Sequence, residues 1–290
     1  MNNKNEQRIN PWKYQADRYK NLYDAPGKPT SEEKKNFYKF IKDAVKKNKD
    51  VKALVLGATP AIRDELAKFD IETTLLDINE DMANAMNLLI NHKKKEKFVK
   101  GNWIKMPFDN NTFDIVMGDL VLGNIESKYK NDFVKEISRI LKPRGQLITR
   151  IFSVPKNFKK KSIEKICIKF SKMKDDNKIK TGFFAYLLYQ HFDPITGDIP
   201  LSKIKKDLSN YLQKGKYIYK EDIRIEKLMN RTYEMWNPFK IVWHTGYKKD
   251  IFSYISKQFN IIDEIYAKDH YFGKEFPIIV CKKNNYFLRT

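Results

Sequence analysis

Three residues in the first half of the chain have types and spacing suited to holding a nucleoside. Gly57 ends the apolar run "KALVLG". Asp77 ends "IETTLLD", 20 residues after Gly57, and Asp119 follows "FDIVMG". A glycine at a strand end lets the backbone turn tightly and lets a ligand approach. A carboxylate about 20 residues further on can accept hydrogen bonds from both ribose hydroxyls. A second carboxylate on a neighbouring strand end can meet an ammonium group. A dinucleotide loop would have three glycines, so that the backbone reaches a pyrophosphate. Here Ala58, Thr59 and Pro60 follow Gly57.

Thr59 is a favoured helix N-cap and Pro60 a favoured first helical residue. The helix start is therefore well specified, with less room for a diphosphate. A ligand with adenosine and no pyrophosphate suits this turn, and S-adenosylmethionine is one. Its carboxylate can sit near a helix N-terminus, and its ammonium can face backbone carbonyls and Asp119. The turn alone leaves open a structural strand-turn-helix with Asp77 as a solvated strand end, because a lone glycine is weak evidence.

These residues need a scaffold. From Val51 short apolar runs alternate with helical segments. Strands are expected at "KALVLG", "IETTLLD", "KFVKG", within "NTFDIVMGDLVLG" and at "GQLITRIF". Helices are expected at "RDELAKF", "NEDMANAMNLLINHKK" and "KNDFVKEISRILKP". Strands separated by helices imply βαβ crossovers and a parallel sheet. After "KKDIFSYISKQF", the runs "NIIDEIYA" and "FPIIVCKK" read as an antiparallel edge pair. The expected fold is α/β, a Rossmann-like doubly wound, mostly parallel seven-stranded sheet with an antiparallel last strand. Residues 1–50 are expected as an N-terminal helical arm, with Trp12, Ala16 and Tyr19 on one face. Thr30 or Ser31 caps a second helix bearing Phe37, Phe40, Ile41 and Val45. Residues 51–154 and 248–290 form the Rossmann-like domain. Residues 155–247 are expected as a mainly helical insertion between strands 5 and 6, a substrate-recognition segment or lid.

The stretch "GNWIKMPFDNNTFDIVMGDLVLGNIESKYKNDFVKEISRILKPRGQLITRIF", Gly101 to Phe152, resembles class I S-adenosylmethionine-dependent methyltransferases. The likeness runs through "NW", "MPF", "FDIV", "GDLVLGNI" and "RILKPRGQLITRIF". With "LGATP" as first motif, it looks closest to a bacterial subgroup with Leu-Gly-x-Thr-Pro in place of a glycine-rich loop. The resemblance covers about Lys52 to Phe152. It implies that Gly57, Ala58 and Thr59 lie against the methionine part, Asp77 holds the ribose and Ile78 flanks the adenine. Asn102 and Trp103 would sit at the adenine edge, and Asp119 and Leu120 would line the transfer site. Trp103 also reads as a core residue, and Asp119 as a cap for local backbone amides. The cofactor implied is S-adenosylmethionine, with S-adenosylhomocysteine as product.

The acceptor side is less marked. His244 in "IVWHTGY" is the candidate general base, beside Tyr233, Trp236, Trp243 and Tyr247. This aromatic cluster reads either as an acceptor pocket or as the insertion's own core. Arg150, at the end of the fifth strand, reads as a group for an acidic acceptor or as a surface or lid ion pair. No Asn/Asp-Pro-Pro-Tyr/Phe motif follows the fourth strand, which reads "GDLVLGN", and no Pro-Cys nucleophile is present. Adenine or glutamine amino-methylation and cytosine C5 methylation are therefore disfavoured. The expected acceptor is an O or N of a small molecule.

Net charge is +21, which fits a polyanion partner or compositional drift, since lysine far outnumbers the better phosphate reader, arginine. The segment 155–180 carries ten lysines against three acids. It is the candidate nucleic-acid contact of an alternative, RNA- or DNA-directed methyltransferase. A non-catalytic binding partner with this fold is a third reading. No apolar run reaches the roughly 18 to 20 residues that span a bilayer, and "MNNKNEQRINPWKYQ" has no apolar signal core. Cys167 and Cys281 form no paired motif, so no metal site is expected and the compartment expected is the reduced cytoplasm.

Overall fold

A computed structural model describes residues 19–23, 25–46, 50–92, 94, 96–214, 222–235 and 241–284. Trp12, Ala16 and Trp236 lie outside these residues. Helix α1 (Ser31–Val45) begins at Thr30, whose hydroxyl accepts from the Glu33 N–H while the Glu33 carboxylate accepts from the Thr30 N–H. This reciprocal cap satisfies two donors that a helix start otherwise leaves unpaired. Phe37, Phe40 and Ile41 are its buried face.

Then come β1 (Lys52–Leu56), α2 (Pro60–Leu66), β2 (Glu72–Asp77), α3 (Glu80–Met86), β3 (Glu96–Lys100), β4 (Phe113–Asp119), α4 (Lys130–Ile140) and β5 (Leu141–Arg150). Helix α3 ends at Met86, well short of the expected run to Lys94. The final elements are α9 (Lys248–Ile255), β8 (Phe259–Ile265) and β9 (Ile278–Lys283). The sheet has seven strands in the order β3-β2-β1-β4-β5-β9-β8. β1 to β5 pair in parallel, and β9 is antiparallel to both β5 and β8. The fold is Rossmann-like, with the strand order reversing between β1 and β4.

Both faces of the sheet are covered, which is why its inner strands are continuous apolar runs. On one face α1 and α2 pack Phe37, Ile41 and Ile62 against Ala53, Val55, Ile115 and Met117. On the other α4 and α9 pack Phe133, Ile137, Ile251 and Ile255 against Leu54, Val116 and Leu147.

Between β5 and α9 the chain forms α5 (Ile163–Ser171), α6 (Asp176–Gln190), β6 (Asp198–Pro200), α7 (Leu201–Lys214), α8 (Ile223–Met235) and β7 (Val242–His244). These elements share a core built around α6, which is buried on nearly every side from Ile179 to Tyr189. A helix apolar all round belongs in the middle of a layer. Phe152 and Phe276, from the ends of the sheet, join this core. β6 and β7 form a separate two-stranded ladder. No described helix is long and apolar enough to cross a membrane.

Candidate active site

The site lies beyond the carboxyl ends of β1, β2 and β4, beside the switch in strand order, where open α/β sheets bind ligands. Gly57 turns the chain out of β1 with φ +85°, a left-handed conformation that glycine adopts without penalty. Its N–H donates to the Leu76 carbonyl at 2.9 Å, which ties the turn to β2. Thr59 occupies the N-cap position of α2 but its side chain makes no capping bond, and Pro60 opens the helix. The helix thus starts where Thr59 and Pro60 were expected to set it, but the threonine hydroxyl makes no capping bond.

A cavity of about 390 Å³ opens here. Gly57, Ala58, Thr59, Asp77, Ile78, Asn102, Trp103 and Asp119 all line it. Asp77 Oδ1 accepts the Asn79 N–H at 2.9 Å. Burial pushes its carboxyl above the usual range, against the pull of the Asn79 and Ile78 N–H groups. Ile78, next to it, is 63% exposed, an apolar side chain left open at the cavity rim. Trp103 donates Nε1–H to the Leu76 carbonyl at 2.9 Å and packs 6.4 Å from Phe133. It is thus both a core residue and a wall. Asn102 Oδ1 accepts the Ile104 N–H at 3.0 Å.

A second cavity of about 150 Å³ adjoins the first. Tyr19, Thr59, Met82, Asp119, Asn124 and Ile241 line both. Leu120 lines the second and sits in the left-handed region at φ +54°. Its sharp turn brings Gly123 and Asn124 back beside Asp119.

The register of β4 and β5 puts Asp119 opposite Arg150. Arg150 Nε donates to Asp119 Oδ1 at 2.7 Å and Nη2 to Asp119 Oδ2 at 3.1 Å. Nη1 donates to Glu33 at 2.7 Å, and Nη2 also donates to the Pro26 carbonyl at 2.8 Å. Burial works against the guanidinium charge, but Asp119 and Glu33 outweigh it and raise its pKa. Burial pushes the Glu33 carboxyl up, opposed by Arg150. Arg150 is fully buried, which corrects the acceptor-binding expectation; it does form an ion pair, but a buried one and not the surface or lid pair expected. Its donors face inward and join the sheet to the N-terminal segment. Asp119 pairs with this arginine instead of capping local amides.

The other two catalytic candidates are also displaced. His244 stands opposite Asp198 in the β6–β7 ladder, with Nδ1 2.8 Å from Asp198 Oδ1. It lines neither cavity. Tyr233, on α8, packs on the helical core with the Lys205 ammonium 5.0 Å from its ring centre, and it too lines neither cavity. Tyr247 packs edge-on to Phe192. Trp243, of the aromatic cluster, does reach the second cavity.

Sequence reasoning missed Tyr19, Met82, Met86, Asn124, Ile241 and Glu33. Met82 and Met86 had a signal, being one turn apart on the helix after Asp77. Glu33 read only as a first-turn acid. Lys156, Lys159, Lys160, Lys161 and Lys165 are exposed and line neither cavity. Cys167 and Cys281 are buried, each thiol pushed up to about 12 by burial. No group of three or more metal-ligating side chains occurs among the described residues.

Residues 56–149 match the family described as a methyltransferase domain. The ubiquinone/menaquinone biosynthesis C-methyltransferase UbiE of Hahella chejuensis is 34% identical over 89 residues, which is 30% of this chain and 35% of that protein. The chain thus spans about a third of the length of the first curated relatives it matches. An uncharacterised protein of Methanocaldococcus jannaschii is 29% identical over 164 residues, 49% of this chain and 68% of that one. Among solved structures, a S-adenosylmethionine-dependent methyltransferase of Methanosarcina mazei superposes with a TM-score of 0.51 at 17% identity. It covers 84% of this chain and 96% of that one, and it speaks to the fold. Sheet order and domain match together define a class I methyltransferase domain. The cofactor of that class is S-adenosylmethionine.

Proposed function

We propose that the protein is a S-adenosylmethionine-dependent methyltransferase that methylates an O or N of a small-molecule acceptor. The observation that carries this reading is the lining of the larger cavity. One wall is apolar and open at Ile78, one carboxylate stands at the end of β2, and a positive-φ glycine faces both. These features fit an adenosine with its ribose. Asp77 would accept from the ribose hydroxyls, Ile78 and Trp103 would flank the base, and Gly57 to Thr59 with Asp119 would meet the amino-acid end. When bound, the cofactor supplies an electrophilic methyl on a sulfonium.

The chain's own task is then alignment and exclusion of water. Asp119 and Asn124 line both cavities, so they are placed to orient an acceptor's O–H or N–H. Asp119 is held by Arg150, which favours a fixed hydrogen-bond acceptor over a mobile base. The Tyr19 hydroxyl is pushed well above its usual value by burial and then by the Asp119 charge, which favours the neutral phenol. The likeness to a C-methyltransferase extends over about a third of that protein. It supports the transfer chemistry and leaves the acceptor to this chain's second cavity. The test is thermal unfolding with S-adenosylhomocysteine. At 100 times its Kd a ligand of the native state adds about 2.7 kcal/mol, visible as a rise in Tm. No rise at saturating concentrations would remove the reading.

A further inference from the structure

The second cavity has a composition of its own. Tyr23, Leu120, Phe152, Leu201 and Trp243 line it and not the larger one. Phe152 and Trp243 meet edge-on at 6.5 Å, and Tyr19 and Tyr23 stack at 5.6 Å. An apolar cavity of about 150 Å³ holds a benzene-sized molecule. The charge on its walls is equally restrictive. Asp119 is the charged residue among those lining it. Arg150, the cation behind Asp119, directs its donors to Asp119, Glu33 and Pro26. A carboxylate or phosphate entering here would lose its hydration, meet no cationic side chain among the described lining residues and face the Asp119 carboxylate, which is costly.

We propose that the second cavity is the acceptor site and that it takes a single aromatic ring bearing one uncharged O–H or N–H. This rests on the methyltransferase reading for its purpose, and on the cavity alone for its ligand class. The ring lies among Phe152, Trp243 and Leu201, where aromatic contacts are edge-on or offset. The polar atom faces Asp119, Tyr19 and Asn124, which are among the residues shared with the larger cavity.

Saturation-transfer NMR with phenol and benzoate as probes tests this, in the presence and absence of S-adenosylhomocysteine. Phenol is expected to receive saturation from the wild type, and benzoate at least tenfold less. Leu201→Trp fills the cavity without touching the larger one. It should abolish the phenol signal and leave the S-adenosylhomocysteine affinity within twofold. Trp243→Ala enlarges the cavity and should admit 2-naphthol, which the wild type excludes. Equal signals from phenol and benzoate, or a phenol signal retained in Leu201→Trp alongside exclusion of 2-naphthol by Trp243→Ala, would overturn the proposal. Phenol binding without S-adenosylhomocysteine binding would uphold the ligand class and remove the methyltransferase reading, so the two failures are distinguishable.

Discussion

The two cavities share Asp119 but were built by different means. Every wall residue of the larger cavity expected from sequence comes from a strand end or the turn after it: Gly57, Ala58, Thr59, Asp77, Ile78, Asn102, Trp103 and Asp119. Besides the shared strand-end residues, the smaller cavity draws Tyr19, Tyr23 and Gly27 from before α1, Phe152 from after β5, and Leu201, Ile241 and Trp243 from distant parts of the insertion between β5 and α9. The first group converges because a parallel sheet places successive strand ends side by side. The second converges only where the insertion and the N-terminal segment pack onto those strand ends. On the proposed reading, cofactor recognition would rest mainly on the ends of the parallel strands, while acceptor recognition would rest more on how the helical insertion and the N-terminal segment are held on the sheet.

Arg150 joins the two regions, so its loss tests the comparison most severely. Removing one partner from a buried ion group leaves uncompensated charge and costs about 3 to 5 kcal/mol. Arg150→Ala should therefore lower stability by that amount in urea unfolding. A cost below about 1 kcal/mol would mean that the two regions are not tied through it.

His270, buried and stacked 4.5 Å from Phe276 of the core around α6, accepts the Phe272 N–H at Nδ1. Burial, and then Arg150, lower its pKa to about 3. A histidine with a lowered folded pKa stabilises the fold above its unfolded value of about 6.5. That contribution falls as pH drops from there to about 3, by about 1.4 kcal/mol per pH unit. His270→Asn keeps an acceptor and cannot charge. Its stability should therefore fall less steeply than the wild type's between pH 6 and 4, by up to that slope. Parallel curves would show that His270 is not buried neutral.

Asp77→Ala addresses the cofactor side alone. It should weaken S-adenosylhomocysteine binding by about 1 to 3 kcal/mol, as for a lost hydrogen bond to a charged group, with the acceptor probes unaffected. The smallest effect is expected at His244. His244→Asn breaks only a partly exposed pairing with Asp198, so cofactor affinity and probe binding should both stay within twofold of wild type. A loss of turnover in that variant, with both affinities kept, would restore His244 as a general base.

The order in which these residues became legible follows from physics. Period-two and continuous apolar runs mark strands, and strand ends in a parallel sheet mark the ligand crevice. Asp77 and Asp119 could therefore be singled out before any coordinates. His244, Tyr233 and Arg150 were chosen for chemical type, and type does not say which way a side chain faces. His244 is turned toward Asp198 by a ladder too short to read in the sequence. Arg150 is turned inward by Glu33, whose approach depends on the packing of α1 against the sheet. Tyr19 had no signal beyond an aromatic on a helical arm.

The most direct measurement is a calorimetric titration of S-adenosylhomocysteine into the wild type, Asp77→Ala and Trp243→Ala in parallel. One site per chain is expected in the wild type, with binding weakened about 5- to 150-fold in Asp77→Ala, the equivalent of about 1 to 3 kcal/mol. Binding in Trp243→Ala is expected to be unchanged. No heat from a folded wild type, or equal weakening in both variants, would contradict these expectations.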